Sequence, residues 1–307
     1  MTSITAPLTA IQGHAAPPPK PTAGFVIRQI IIYSLLILGG VLVLIPFAWM
    51  IATSLKTQDQ LFALDFTFLP NPAVPQNYLD VWDKMASIAP GMTFLRVIGN
   101  TLFITILAMF AEIVSASVVA YGFARFQWRG RNTVFTIMLA TMMIPSIITR
   151  IPQFLLWKQI GLLNTYDPLT VPAWFAWGPI YVFLMRQFFM TIPREIEEAA
   201  ILDGANVVQI YYYVMLPLIR PILIAIAVFS FQGNWNNFQG PLIYLHTTQT
   251  FPLSTTILFF NSSLSQTAPE WQYMMALSTM AALPVLIIYF LAQKQFLEGI
   301  NIGAVTW

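Results

Sequence analysis

The sequence predicts an all-α integral membrane protein of about six transmembrane helices, with a helical loop on its cytoplasmic side. Three observations carry that prediction. Charged residues make up only 8% of 307 positions, against 57% hydrophobic ones. A soluble domain carries roughly a quarter charged residues, so most of this surface must face lipid. The apolar residues also collect into runs of about 20, the length that crosses a bilayer core as helix. Finally, several runs contain proline, which a spanning helix tolerates when neighbouring helices re-satisfy the freed carbonyls; this points to a bundle.

The candidate spans cover, to within a few residues, about 30–54, 97–121, 133–156, 169–190, 218–238 and 273–293. Pro145 and Pro152 are expected to kink the third, and the fourth contains Pro172 and Pro179. Lys and Arg set the orientation. Lys20, Arg28, Arg125, Arg129, Arg131, Arg186, Arg194, Arg220 and Lys294 all fall on one side if both termini are cytoplasmic. The opposite loops hold fewer cations: Lys56, Lys84, Arg96 and Lys158. The proline-rich stretch 1–24 reads as a disordered cytoplasmic tail, since Pro17, Pro18, Pro19 and Pro21 exclude a helix. The outer loop from Lys56 to Gly91, with Phe66, Phe68, Tyr78 and Trp82, fits either an ordered cap or an interfacial aromatic belt.

Composition also excludes chemistry. The chain has no cysteine, which rules out disulfides, thiolate metal sites and cysteine nucleophiles. Its two histidines, His14 and His246, lie far apart, so no histidine metal cluster is expected. A net charge of +2 gives no field for nucleic acid.

Between the fourth and fifth spans, Thr191 to Asn206 reads as a helix with its punctuation in place. Thr191 is the expected N-cap and Pro193 falls in the first turn. Glu195, Glu197 and Glu198 put negative charge near the positive end of the helix dipole. Gly204 permits the left-handed residue that ends a helix. Asn206 and Gln209 then match a capping box for a second short helix over 207–215, before Pro217 opens the next span. An interfacial helix lying on lipid usually carries Lys and Arg on its polar face. Here the first turn is acidic, which favours a protein partner.

The spacing Glu198-Ala199-Ala200, then Gly204, then Val214-Met215-Leu216-Pro217 resembles the "EAA" loop of binding-protein-dependent ABC importer permeases. Asn100-Thr101, the run Ala120 to Arg125, Gly161 to Tyr166, Trp235 to Phe238 and the ending Gly299 to Val305 are similar to the smaller permease of the maltose-type carbohydrate branch. That tail commonly closes with Lys-Gly, where this chain has Thr306-Trp307. The resemblance implies a permease subunit of an ATP-driven importer for a sugar or oligosaccharide, set in a bacterial or archaeal plasma membrane. It implies as partners a second permease subunit, an ABC ATPase dimer holding ATP and Mg, and an extracytoplasmic solute-binding protein. No cofactor is expected on this chain itself. Glu198, Ala199, Ala200, Asp203, Gly204, Leu216 and Pro217 would form the ATPase-coupling element. A glycerol phosphoester as solute also fits.

Two further constellations stand out. Gln232, Asn234, Trp235, Asn236 and Asn237 crowd the outer end of the fifth span. Amides beside an aromatic face suit sugar, so Asn234, Trp235, Asn236 and Asn237 are candidates for the translocation pathway; helix-to-helix hydrogen bonding is the alternative. Glu112 and Arg150 are intramembrane charges, functional by default. Their places along their spans put Glu112 near the middle and Arg150 nearer the outer surface, which argues against a direct pair. Ala116, Ala120 and Ala124 recur every four residues, a stripe that lets another helix approach closely.

No Gly-x-x-x-x-Gly-Lys-Ser/Thr segment occurs, so the chain is not itself the ATPase by phosphate-loop chemistry. An ion-coupled secondary transporter would show an internal repeat and paired acidic residues in its spans, and neither is seen. A membrane-embedded enzyme would need convergent catalytic residues, for which only Glu112 and Arg150 are candidates.

Overall fold

The structure, a computed structural model, describes residues 23–65, 67–260 and 269–304. The expected disordered tail to residue 22, Phe66 of the outer loop and the closing Val305-Thr306-Trp307 lie outside the described residues. Every regular element among the described residues is helical. Among the described residues four helices are long and apolar enough to span a membrane, and the number reaches six if each of two bent pairs is one span.

The chain divides into two compact units, one ending at Trp49 and the other starting at Met50. The first consists, among described residues, of most of α1 (Ala23–Ser54). That helix begins two residues before the tail boundary predicted above. It is apolar all round and its side chains from Ile30 to Leu44 are exposed, as suits a lipid-facing or partner-facing span.

The second unit begins with the last turn of α1, followed by α2 (Gln58–Phe62) and α3 (Asn77–Ile88). Over its described residues the loop expected on the outer side forms a helical cap on the bundle. Asn77 is buried and its amide donates to the carbonyls of Ser54 and Lys56, both at 2.9 Å, clamping the loop to the end of α1. Val81, Met85, Ala89 and Met92 bury themselves against Val97, Phe231, Trp235 and Leu277. At the rim of the cap the Lys84 ammonium donates to the Glu270 carboxylate at 2.9 Å, which raises the lysine's pKa above its ordinary value. Lys84 is 45% exposed, so water screens this pair and it adds at most about 1 kcal/mol.

Next comes α4 (Phe94–Arg125), the central span. Its alanine stripe is buried: Ala116, Ala120 and Ala124 lie in one cluster with Val182, Met185 and Phe189. Small side chains on α4 allow the larger ones opposite to pack closely.

The third expected span departs from a kinked helix. It is two helices, α5 (Arg131–Thr141) and α6 (Ser146–Gln159), meeting at 95°. Each rises only about 16–21 Å, too short to cross alone. Pro145 enforces the break: it cannot donate to the preceding turn and biases Ile144 away from helix. Pro152, by contrast, sits inside α6 without ending it.

The fourth span is also interrupted. It starts as α7 (Asp167–Thr170), passes through a 3₁₀ turn at Pro172–Phe175, and restarts as α8 (Pro179–Thr191). Ala176 between them is left-handed at φ 52°. Ser115 of α4 meets the freed backbone: its hydroxyl donates to Ala173 O at 2.8 Å and accepts from Ala176 N at 3.2 Å. Broken backbone at membrane depth needs such a partner.

The chain then forms α9 (Arg194–Leu202), α10 (Val207–Gln209), a π-helical stretch Ile210–Met215, and α11 (Leu216–Leu218). The last three are continuous and bend by 76° into α12 (Arg220–Trp235). The straight arm of this bent span, α12, starts two residues later than the expected fifth span and ends at Trp235. Short helices α13 (Gln239–Tyr244) and α14 (Leu253–Thr256) lead to the final span, α15 (Trp271–Ala304). Asn100 and Thr101 hold the α14 segment: the Asn100 amide donates to Gln249 O and Phe251 O, and Thr101 Oγ1 accepts from Leu253 N. Asn164, left-handed at φ 61°, accepts from the N–H groups of His246 and Thr247. These two sequence signatures are thus tertiary clamps.

Candidate functional site

Two places in the second unit have the geometry of functional sites. The first is the corner between α9 and α10. It does not start where the sequence suggested. Thr191 is the last residue of α8 and its hydroxyl donates to Phe188 O at 2.7 Å, so it caps nothing. Pro193 takes the N-cap position and α9 starts at Arg194.

The other end matches the pattern closely. Gly204 is left-handed at φ 85°. Its N–H reaches Ile201 O and the Ala205 N–H reaches Ala200 O, both at 3.0 Å, the paired bonds of a Schellman motif. The capping box also forms. Asn206 N donates to Gln209 Oε1 at 2.8 Å, and Gln209 N donates to Asn206 Oδ1 at 3.0 Å. One helix therefore ends and another begins within four residues, with capping hydrogen bonds at both ends.

The corner is fastened from below. Arg125, at the end of α4, places Nε 3.2 Å from Glu197 Oε1 and donates through Nη2 to Ile192 O at 2.9 Å. Both side chains of the pair are largely buried, at 6% and 14% exposure. Tyr121 interacts with the same carboxylate. Behind them, the Tyr211 hydroxyl in the π-helical stretch bonds to Ser117 of α4 at 2.7 Å. A π turn offsets the helix register locally and often marks a functional segment. Here it turns Tyr211 and Met215 inward together.

What remains outside is an apolar face with an acidic edge. Glu198, Ala199, Asp203, Gly204 and Pro217 are exposed, and Ala200 and Leu216 are half-buried. Ile201 is 59% exposed and Leu202 88%, with Val208 and Tyr213 also open beside them. Exposed apolar residues gathered on a well-anchored helix mark a contact surface.

The second place is a polar cavity of about 220 Å³. Glu112 and Arg150 both line it, although their sequence positions implied different depths. The 95° turn after Thr141 is the reason: it brings Ser146, Thr149, Arg150 and Gln153 of α6 to the cavity that Glu112 of α4 also lines. They form no ion pair. The Glu112 carboxylate accepts from the Ser230 hydroxyl in a short contact and from Asn234 Nδ2 at 3.4 Å. The Arg150 Nε is buried without a hydrogen-bond partner among the described residues. Gln153, Thr149, Tyr244 and Trp177 add donors, acceptors and an aromatic face.

The four residues singled out at the end of the fifth span separate. Asn234 and Asn237 line the polar cavity. Asn237 is partly committed, its Oδ1 accepting from Gly240 N at 3.1 Å. Trp235 points elsewhere: it is buried, stacks on Phe231 at 5.3 Å and donates its indole N–H to Ala281 O at 2.9 Å. Asn236 is exposed and lines a different cavity with Trp235. Ser230, Gln153 and Tyr244 escaped notice in the sequence. Ser230 had a legible signal, because it lies four residues before Asn234 on one helix face. Gln153 and Tyr244 had none.

Comparison with known proteins agrees with this architecture. Residues 112–301, more than half the chain, match the family model described as binding-protein-dependent transport system inner membrane component. The lactose transport system permease protein LacG of Rhizobium radiobacter is 32% identical over 271 residues, covering 88% of this chain and 94% of LacG. The diacetylchitobiose uptake system permease protein NgcG of Streptomyces coelicolor is 30% identical over 272 residues, covering 88% of this chain and 87% of NgcG. A chain in the crystal structure of a bacterial ABC transporter involved in import of the acidic polysaccharide alginate superposes with a TM-score of 0.74 at 25% identity, covering 91% of this chain and 99% of that one. With its spans, its helical corner and these relatives taken together, the chain belongs to the binding-protein-dependent inner membrane components, the multi-pass permease subunits of ABC importers.

Proposed function

We propose that this permease imports a sugar or oligosaccharide and that the α9–α10 corner is where an ATP-hydrolysing subunit docks. The observation that carries the docking reading is the corner itself: an exposed apolar helix face, capped at Gly204 and held to α4 through Arg125 and Glu197. A rigid element of this kind transmits force. Closure of an ATPase pair around bound ATP and Mg would move α9 as a body, and α4, α8 and α12 would follow. Glu198, Ala199, Ala200, Asp203 and Gly204 would form the contact, with Leu216 and Pro217 at the hinge into α12. Both termini would then be cytoplasmic, in a bacterial or archaeal plasma membrane. A second permease subunit would complete the pathway, and a solute-binding protein would deliver substrate from outside.

The sugar reading is supported by the uptake systems of the relatives and by the polar cavity. Asn234, Asn237, Gln153 and Tyr244 offer hydrogen bonds suited to hydroxyls, with Trp177 beside them. Substituting Leu202→Asp tests docking, because a charge in the centre of an apolar contact removes a hot spot. ATPase affinity is expected to fall at least about tenfold, as read by co-purification, with the chain still inserted. Full retention of the ATPase by this variant would remove α9 from the interface.

Glu112→Gln separates sugar transport from ion coupling. A glutamine still accepts from Ser230, so ATP-driven uptake is expected to stay within about fivefold of the unaltered chain. Complete loss of uptake with ATPase association intact would favour a proton-carrying role for Glu112 instead.

A further inference from the structure

A cavity of about 560 Å³ opens at the α9 end of the bundle, separate from the polar cavity above. The end of α4, the start of α5, the end of α8 and the start of α9 meet around it. Four arginines line it: Arg125, Arg131, Arg186 and Arg194.

Their charges are not equally committed. Arg125 is neutralised by Glu197. The Arg186 guanidinium stacks on the Phe135 ring at 4.2 Å, and its Nε is buried with no hydrogen-bond partner among the described residues. Arg131 spends Nη1 on the carbonyl of Phe126 at 3.1 Å and Nε on the Asn132 side chain at 3.4 Å, neither of them anionic. Arg194 is exposed at the first turn of α9. Against these three cations the cavity wall sets one carboxylate, Glu195. A cavity with two uncompensated positive charges at the ends of spanning helices suits an anionic ligand.

We propose that this cavity holds the phosphate headgroup of an anionic membrane phospholipid, with Arg131, Arg186 and Arg194 as its ligands. The membrane placement proposed above puts the cavity at headgroup depth, because α4 and α8 end there and α5 begins there. Basic pockets between spanning helices on that side of a bilayer suit such headgroups. The rim suits the rest of a lipid: Met190 is half-exposed, and Phe126 and Trp128 in the adjoining turn are open, as in an interfacial aromatic belt. A soluble phosphate would use the arginines and leave that apolar rim uncovered. Because Pro193 and Arg194 of the α9 start form part of the wall, a bound headgroup would steady the base of the corner.

The test uses the full chain, purified with the subunits that assemble with it, in nanodiscs of phosphatidylcholine doped with phosphatidylglycerol. Native mass spectrometry then counts the lipid retained after transfer to detergent. Phosphatidylglycerol is expected to be retained in preference to phosphatidylcholine. Replacing Arg186→Gln, Arg131→Gln or Arg194→Gln is each expected to weaken retention by about fivefold. Arg96→Gln, outside the cavity, is expected to leave it unchanged. Arg194→Gln alters only an exposed first turn and so keeps the comparison valid if Arg186→Gln fails to fold. Equal retention of the two lipids by the unaltered chain would overturn the proposal, as would unchanged retention in Arg194→Gln and Arg131→Gln. Inorganic phosphate that binds alone and displaces the lipid fully at millimolar concentration would reassign the cavity to a soluble anion. Loss of sugar uptake or of ATPase docking with lipid retention intact would count against the proposed function and leave this site standing.

Discussion

A chain carrying Gly204→Val is expected to insert normally, yet lose ATP-driven uptake by more than about tenfold. Gly204 sits at φ 85°, where a β-branched residue is a steric outlier. Beyond the glycine itself and its two chain neighbours, no atom lies within 4 Å of the point where a Cβ would stand, so the strain is entirely in the local backbone. A left-handed residue costs an ordinary L-amino acid about 1–2 kcal/mol, and a β-branched one more. The last turn of α9 would unwind to relieve it, and the two Schellman bonds from Gly204 and Ala205 would go with it. The spans do not depend on that turn. Gly204→Asn is expected to behave almost as the unaltered chain, because asparagine tolerates this conformation, and Gly204→Ala should fall between. Uptake into proteoliposomes and co-purification of the ATPase read the series. Equal loss in all three variants would mean that the glycine matters for contact with a partner and not for its dihedral angle.

Glu197→Ala is expected to be the most damaging single change in the corner, costing about 3–5 kcal/mol of local stability. It leaves the Arg125 guanidinium, whose side chain is 6% exposed, without its counter-charge. The double variant Arg125→Met with Glu197→Ala removes both charges and is expected to recover much of that loss, since an apolar replacement for a buried pair is often neutral. Glu198→Ala, one residue on, should leave stability unchanged and weaken only ATPase association, because Glu198 is exposed. Thermal unfolding of the purified complex separates the two. If Glu197→Ala and Glu198→Ala had the same effect on both readouts, the pair with Arg125 would not be the fastening of α9.

That contrast between adjacent glutamates shows where sequence reasoning stops. The family spacing pointed to Glu198, and the acidic first turn grouped Glu195, Glu197 and Glu198 as alike. They differ because helical periodicity turns Glu197 toward α4 and Glu198 away from it. Which face meets α4 depends on how α9 leaves Thr191. The sequence misjudged that departure, because a threonine before a helix and a threonine ending one look identical until the backbone bond of its hydroxyl is known. The local signals at the far end, Gly204 and the Asn206–Gln209 box, needed no such context. Each is satisfied by atoms within about a turn of itself.

The cavity was less legible. Glu112, Arg150, Asn234 and Asn237 stood out as polar groups in apolar runs, but their meeting did not. A proline in a span can kink it or break it, and the difference is decided by whether other helices take up the freed backbone groups. At Pro145 the break is 95°, and it brings Arg150 to the cavity that Glu112 also lines. Trp235 failed in the opposite way. An indole next to three amides suits a sugar face, yet it buries its ring on Phe231 and its N–H on Ala281.

By itself, then, the sequence determined the features whose causes are local or additive. These are a membrane chain, about six apolar runs, a capped helical corner between two of them and an alanine stripe for close packing. Tertiary structure alone decided the bends at Pro145 and Ile219, the partner of each buried charge, and the assignment of neighbouring amides to cavity or core. The physical reason is that a charge or a freed carbonyl in an apolar interior must find its partner through space. That partner is supplied by residues as distant in sequence as Glu112 and Ser230.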